Sequence, residues 1–185
     1  MKELHKPLYS LSENVHKHAF DIVFAPVKIL VKQVSKLNAK LKETQQKHEE
    51  AVPLFALAPQ EYITKIGQYL LTLPQNFEPF TMQDNANLIV ALHKGSKLPY
   101  LDEKDLSDDI TSCWLDSIAN ATVVNYSDEI LTMNHNISVN SQRQLIIDIG
   151  LYRNFFRIYH SRHDTLLSKL TLMLIFNFLG AKKQQ

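Results

Sequence analysis

The stretch APQEYITKIGQYLLTLPQ, residues 58–75, decides how the whole chain is read. Ile63, Ile66, Leu70 and Leu73 follow at spacings of three, four and three, the period of one face of an α-helix. Pro59 suits the first helical turn, where its missing N–H is no loss, and Pro74 is expected to end the run. Tyr62 and Tyr69 stand a heptad apart beside this stripe. Tyrosines so placed either pack by the ring while the hydroxyl reaches water or a backbone carbonyl, or line an edge that faces a partner.

Upstream, Phe20, Val27, Val34 and Leu41 recur every seven residues, with Val23, Leu30 and Leu37 three positions later and Phe24 and Val31 widening the stripe. Pro26 interrupts it, so the helix kinks there or a new one begins. KLKETQQKHEE, residues 40–50, is polar all round and reads as a fraying end that leads into a linker near Pro53.

Downstream, Asp84 to His93 fits a short helix with Gly95 as its C-cap, and SKLPYLDEKDLSDD, residues 96–109, reads as an acidic loop. Ser107 is a candidate N-cap for a helix running to about Leu131, with Ile110, Trp114, Ile118 and Ala121 on its inner face and Trp114 as the main core anchor. SQRQ at residues 141–144 matches a capping box, and Leu145, Ile149, Tyr152, Phe156 and Tyr159 then repeat at helical spacing. TLLSKLTLMLIFNFLG, residues 165–180, is shorter than the roughly twenty apolar residues of a membrane span and reads as a buried or interfacial helix. With only 4 glycines in 185 residues and prolines between periodic segments, the pattern predicts an all-α fold, an antiparallel helical bundle.

A net charge of +1 gives no footing for nucleic acid, which asks for a basic excess or patch. The total hides an asymmetry: residues 1–50 hold nine lysines and six acids, and residues 101–130 one lysine and eight acids. All four arginines, Arg143, Arg153, Arg157 and Arg162, lie after residue 142. Cys113 is the only cysteine, so neither an intrachain disulfide nor a cysteine zinc site can form within one chain. The first twenty residues lack the apolar core of a secretory signal, and the sequons at Asn120, Asn125 and Asn136 are read as chance triplets.

Little in the chain points to catalysis. Glu13 and His16 give one E-x-x-H spacing, half of what a di-iron bundle requires, and His160, His163 and Asp164 lack a further ligand. No phosphate-cradling glycine loop and no nucleophile elbow is present. No catalytic residue, metal site or cofactor is expected. Lys28, Lys32, Lys36 and Lys40, each four residues apart, form a slowly turning row that either keeps a helix solvated or meets an anionic surface.

FDIVFAPVK (20–28), LAPQEYITKIGQYLLTLPQNFEPF (57–80), ALHKGSKLPY (91–100) and WLDSIANATVVNYSDEIL (114–131) resemble the C-terminal region of subunit 7 of the conserved oligomeric Golgi complex. The resemblance implies the end of a helical-rod tethering subunit, peripheral on the cytosolic side of the Golgi membrane. Such a subunit acts without catalysis in retrograde vesicle transport within the Golgi, and so in Golgi organisation and protein glycosylation. Its implied partners are the other subunits of that complex, vesicle-fusion proteins and small GTPases. The interaction edge is expected at Tyr62, Ile63, Ile66, Tyr69 and Leu70, and around Trp114. The competing reading is a membrane-surface adaptor attached through the lysine row and the apolar C-terminal helix. Residues 1–19 form a weakly patterned segment, residues 20–149 the helical region that carries the resemblance, and residues 150–185 a divergent basic and apolar tail. The resemblance fades after about Ile149, as alternative splicing, a translated intron or an imperfect gene prediction would produce.

Overall fold

The computed structural model describes residues 5–47, 58–81, 98–101, 109–133, 137–158 and 171–172. Among these the chain is all-α, a helical bundle without a strand. We label the helices α1 (His5–Val31), α2 (Gln33–Lys47), α3 (Glu61–Thr81), α4 (Ile110–Met133) and α5 (Val139–Ile158). The expected helix at Asp84–His93 with its Gly95 cap, residues 165–170 and 173–180 of the apolar stretch, and the side chains of Phe156 and Tyr159 lie outside the described residues.

The prolines do less than the sequence predicts. Pro26 lies inside α1, so no new helix begins there, and the break between α1 and α2 is a turn at Lys32. Pro74 and Pro79 both lie inside α3. An interior proline removes one i→i−4 hydrogen bond and crowds the preceding turn, at about 3 kcal/mol. Each large apolar side chain buried nearby returns about 1.5–3 kcal/mol. Leu70 and Leu73 before Pro74, and Phe24 and Val27 around Pro26, are all buried, so the helices continue through both sites. Helix α2 likewise carries the polar stretch as far as Lys47.

Helix starts are also displaced from the sequence reading. The Gln60 carbonyl accepts the first amide bonds of α3, from Ile63 N (3.1 Å) and Thr64 N (3.3 Å), so Pro59 precedes the helix and is not in its first turn. Asp109 caps α4, while Ser107, the expected cap, lies outside the described residues: the Asp109 carboxylate takes Thr111 N at 3.2 Å, Ser112 N at 3.1 Å and Ser112 Oγ at 2.6 Å. These donors, the Ser112 hydroxyl foremost, hold the Asp109 carboxyl below its ordinary range. Helix α5 starts three residues before the expected capping box, on Ser138, whose Oγ accepts Ser141 N at 3.1 Å. Ser141 therefore occupies the third helical position, which frees Gln144 for a longer-range contact.

The chain divides into two units, residues 1–26 with 69–121 and residues 27–68 with 122–185. Helices α1, α3 and α4 contribute residues to both. In the first unit Phe20, Phe24, Leu70, Leu73, Leu98, Ile110, Trp114 and Ile118 are buried. Rings dominate this core: Phe77 lies 5.8 Å from Trp114, His16 6.4 Å from Trp114, and Phe20 5.5 Å from Phe24. The turn at Pro99 and Tyr100 is tied to α4 by Ser117 Oγ, which donates to the Pro99 carbonyl, and by Asn120 Nδ2, 2.6 Å from the Tyr100 carbonyl. These ties hold Tyr100 at a left-handed φ of 61°, a conformation costly for a residue with a Cβ.

In the second unit Val27, Val31, Val34, Ile63, Ile66, Val123, Ile130, Leu145 and Ile149 are buried, and α2 packs against α5. Ser35 Oγ donates to Glu129 Oε1, joining α2 to α4. Gly67 is buried, and a Cβ there would overlap the ring of Phe155 on α5, so glycine permits that ring to rest directly on α3.

Candidate functional site

The largest departure from an oily interior is a polar cluster in the second unit. Asp148 sits on α5 within LIIDIG, residues 145–150, one acid among aliphatics, and is fully buried. Three donors converge on its carboxylate: Tyr62 Oη at 2.7 Å to Oδ2, Gln60 N at 2.9 Å and Gln144 Nε2 at 3.0 Å to Oδ1. Gln144 Nε2 also donates to the Ala58 carbonyl at 2.7 Å, so one amide bridges α5 to the segment that leads into α3. Tyr126 Oη stands 3.4 Å from Tyr62 Oη, and the Tyr126 and Tyr152 rings lie 4.9 Å apart.

Burial pushes the Asp148 carboxyl above its ordinary range, against the pull of its three donors. Burial also raises Tyr62, Tyr126 and Tyr152, which remain neutral hydroxyls at physiological pH. The arrangement is acceptor-centred: the Gln60 amide, the Tyr62 hydroxyl and the Gln144 amide are all directed at one carboxylate within the packed core. It can bind α3, α4 and α5 in one register, because a shift of either helix end would strand a buried donor at about 1–3 kcal/mol.

The expected interaction edge is placed plainly by the structure. Tyr62, Ile63, Ile66, Leu70 and Trp114 are buried within the chain. Tyr69 is half-buried, and its hydroxyl donates to the Val23 carbonyl at 2.6 Å, the ring-packing arrangement that was one of its two sequence readings. Tyr62, Ile63 and Ile66 lie in the second unit, and Tyr69, Leu70 and Trp114 in the first. Sequence reading passed over Asp148 and Gln60, and read Gln144 as part of a capping box. The available signal was an acid on the same helical face as Leu145, Ile149 and Tyr152, a position that burial allows only with dedicated partners.

The remaining motifs separate. Glu13 is exposed whereas His16 is buried beside Trp114. His160, His163 and Asp164 lie outside the described residues. Among the described residues no group of three or more His, Cys, Asp or Glu is placed to hold a metal ion, and no helix is long and apolar enough to cross a membrane. Lys28, Lys32, Lys36 and Lys40 are all exposed.

Comparison with known proteins bears on the whole chain. The family model for Golgi complex component 7 (COG7) matches residues 1–174. The chain is 40% identical over 155 residues to conserved oligomeric Golgi complex subunit 7 of Homo sapiens, covering 80% of this chain and 20% of that protein. It is 35% identical over 175 residues to the Bos taurus protein of the same name, covering 90% of this chain and 22% of the relative. The Arabidopsis thaliana protein is 24% identical over 145 residues, 78% of this chain and 16% of the relative. No solved structure matches. The chain spans about 20% of the length of the human relative. The family match continues past Ile149, where the resemblance read from the sequence faded, and through the arginine-bearing stretch to residue 174. With all-α helices and a match over nearly its full length, the chain belongs to the Golgi complex component 7 family.

Proposed function

We propose that the chain serves as a non-catalytic helical segment of a conserved oligomeric Golgi complex subunit. In that role it supports retrograde vesicle transport within the Golgi, Golgi organisation and protein glycosylation. The observation that carries this reading is the family match over residues 1–174. It is supported by all-α cores, that of the second unit held in register by the hydrogen bonds to Asp148. A core of that kind suits a helical unit whose task is to hold its own helices in one alignment. The partners in this reading are other subunits of the complex, with vesicle-fusion proteins and small GTPases as further ones, at the Golgi membrane on its cytosolic side.

An interface on α3 would use the ridge next to its buried stripe. Leu71 is exposed at 44% beside buried Leu70 and half-buried Tyr69, so the stripe stiffens the ridge and Leu71 presents it. The test is co-purification of the tagged chain with the remaining subunits, alongside Leu71→Asp. Recovery of those subunits, reduced by Leu71→Asp, is the expected result. A folded chain that recovers none of them overturns the reading, and recovery unaffected by the substitution removes α3 as the contact.

A further inference from the structure

From Val27 to Lys42 the chain holds five lysines and no acid. Four of them, Lys28, Lys32, Lys36 and Lys40, are exposed and run over about three helical turns across the end of α1 and the start of α2. Steps of four residues at 3.6 per turn shift the row gradually, so it covers one side of the helices, while Val27, Val31, Val34 and Asn38 are buried. Ile29, next to Lys28, is 67% exposed. Glu129, which α4 brings up to α2, is held by the Ser35 hydroxyl.

We propose that this lysine face, with Ile29 at its edge, rests on an anionic phospholipid surface. Charge complementarity names the occupant: a one-sign row without an interleaved acid fits a plane of negative headgroups. A specific acidic protein site would favour arginine, whose planar fork grips carboxylates in pairs, and the face contains none. Lysine is a compact point charge on a flexible stem, suited to diffuse headgroups, and an exposed aliphatic side chain beside it reaches the headgroup boundary. This goes beyond the subunit role and is read out separately from it.

The experiment is co-flotation of the full chain with phosphatidylcholine vesicles, with and without phosphatidylserine, at low and high salt. Poly-glutamate is added as a competing acidic chain. Binding confined to phosphatidylserine vesicles and lost at high salt is expected. Replacing all four lysines by glutamine should weaken it about a hundred-fold, at about five-fold for each of Lys28, Lys32 and Lys36. Replacing all four by arginine should preserve it, and a helical circular dichroism signal shows that each variant is folded. Equal binding to neutral vesicles, no binding to either, loss on arginine replacement or indifference to glutamine replacement overturns the proposal. So does retention on poly-glutamate in preference to vesicles.

Discussion

The two units solve the same packing problem with different chemistry. The first gathers rings, with His16 and Phe77 beside Trp114 and Phe20 against Phe24. The second places hydroxyls and an amide around one buried carboxylate, Asp148. Ring packing gains by area and tolerates small slides, because dispersion and apolar burial have little direction. Hydrogen bonds to Asp148 have narrow geometry, so the second core accepts one register of α3 against α5. One core supplies bulk stability and the other fixes alignment.

The largest expected effect tests the ring core. Trp114→Ala should lower stability by about 3–5 kcal/mol, read from denaturant unfolding of the full chain. A loss below about 1 kcal/mol would remove Trp114 as the anchor of its unit.

Next comes the polar core. Asp148→Ala leaves the Gln60 amide, the Gln144 amide and the Tyr62 hydroxyl without their acceptor and should cost about 2–4 kcal/mol. Asp148→Asn keeps one acceptor and the shape, and should cost much less. If the two substitutions are equally damaging, the charge and not the hydrogen-bond geometry is what the core requires.

Gly67→Ala sharpens the same comparison within α3. A methyl group would overlap the Phe155 ring, so a loss of about 1–3 kcal/mol is expected despite the better helix propensity of alanine. In a double-mutant cycle, Phe155→Ala should relieve that loss. Additive losses would show that the ring does not rest on α3.

Smallest are the cap and the pH profile, where the units should differ in sign. Asp109→Ala removes the α4 cap and should cost about 1 kcal/mol at neutral pH. The Asp109 carboxyl is depressed in the fold, so its contribution is present above the ordinary carboxylate pKa and fades as pH falls through the folded value. The Asp148 carboxyl is raised, so the fold holds its proton more tightly than the unfolded chain does. Its contribution is greatest below the ordinary pKa, declines as pH rises through the raised one, and is flat beyond. The stability difference between the native chain and Asp148→Asn, measured against pH, should show that decline. A flat difference would place the carboxyl at its ordinary pKa.

The heptad of Phe20, Val27 and Val34, the stripe of Ile63, Ile66, Leu70 and Leu73, and the face of Ile110, Trp114 and Ile118 were legible in the sequence. Each is a local period, and each of these residues is buried. The roles of Pro26 and Pro74 were not legible, because a proline's local penalty competes with burial of neighbours whose partners are distant in the chain. The cap of α4 was missed by two residues and that of α5 by three. Several Ser and Asp side chains could cap locally, and only the packed helix selects one.

By itself the sequence determined helices, the faces they would bury and the family, since helical period and motif identity are written residue by residue. Only the tertiary structure decided that Asp148 is the acceptor for Gln60, Tyr62 and Gln144, which lie 88, 86 and 4 residues away from it. Two of those partners are remote along the chain, and a carboxylate's tolerance of burial depends on donors that only folding brings within reach.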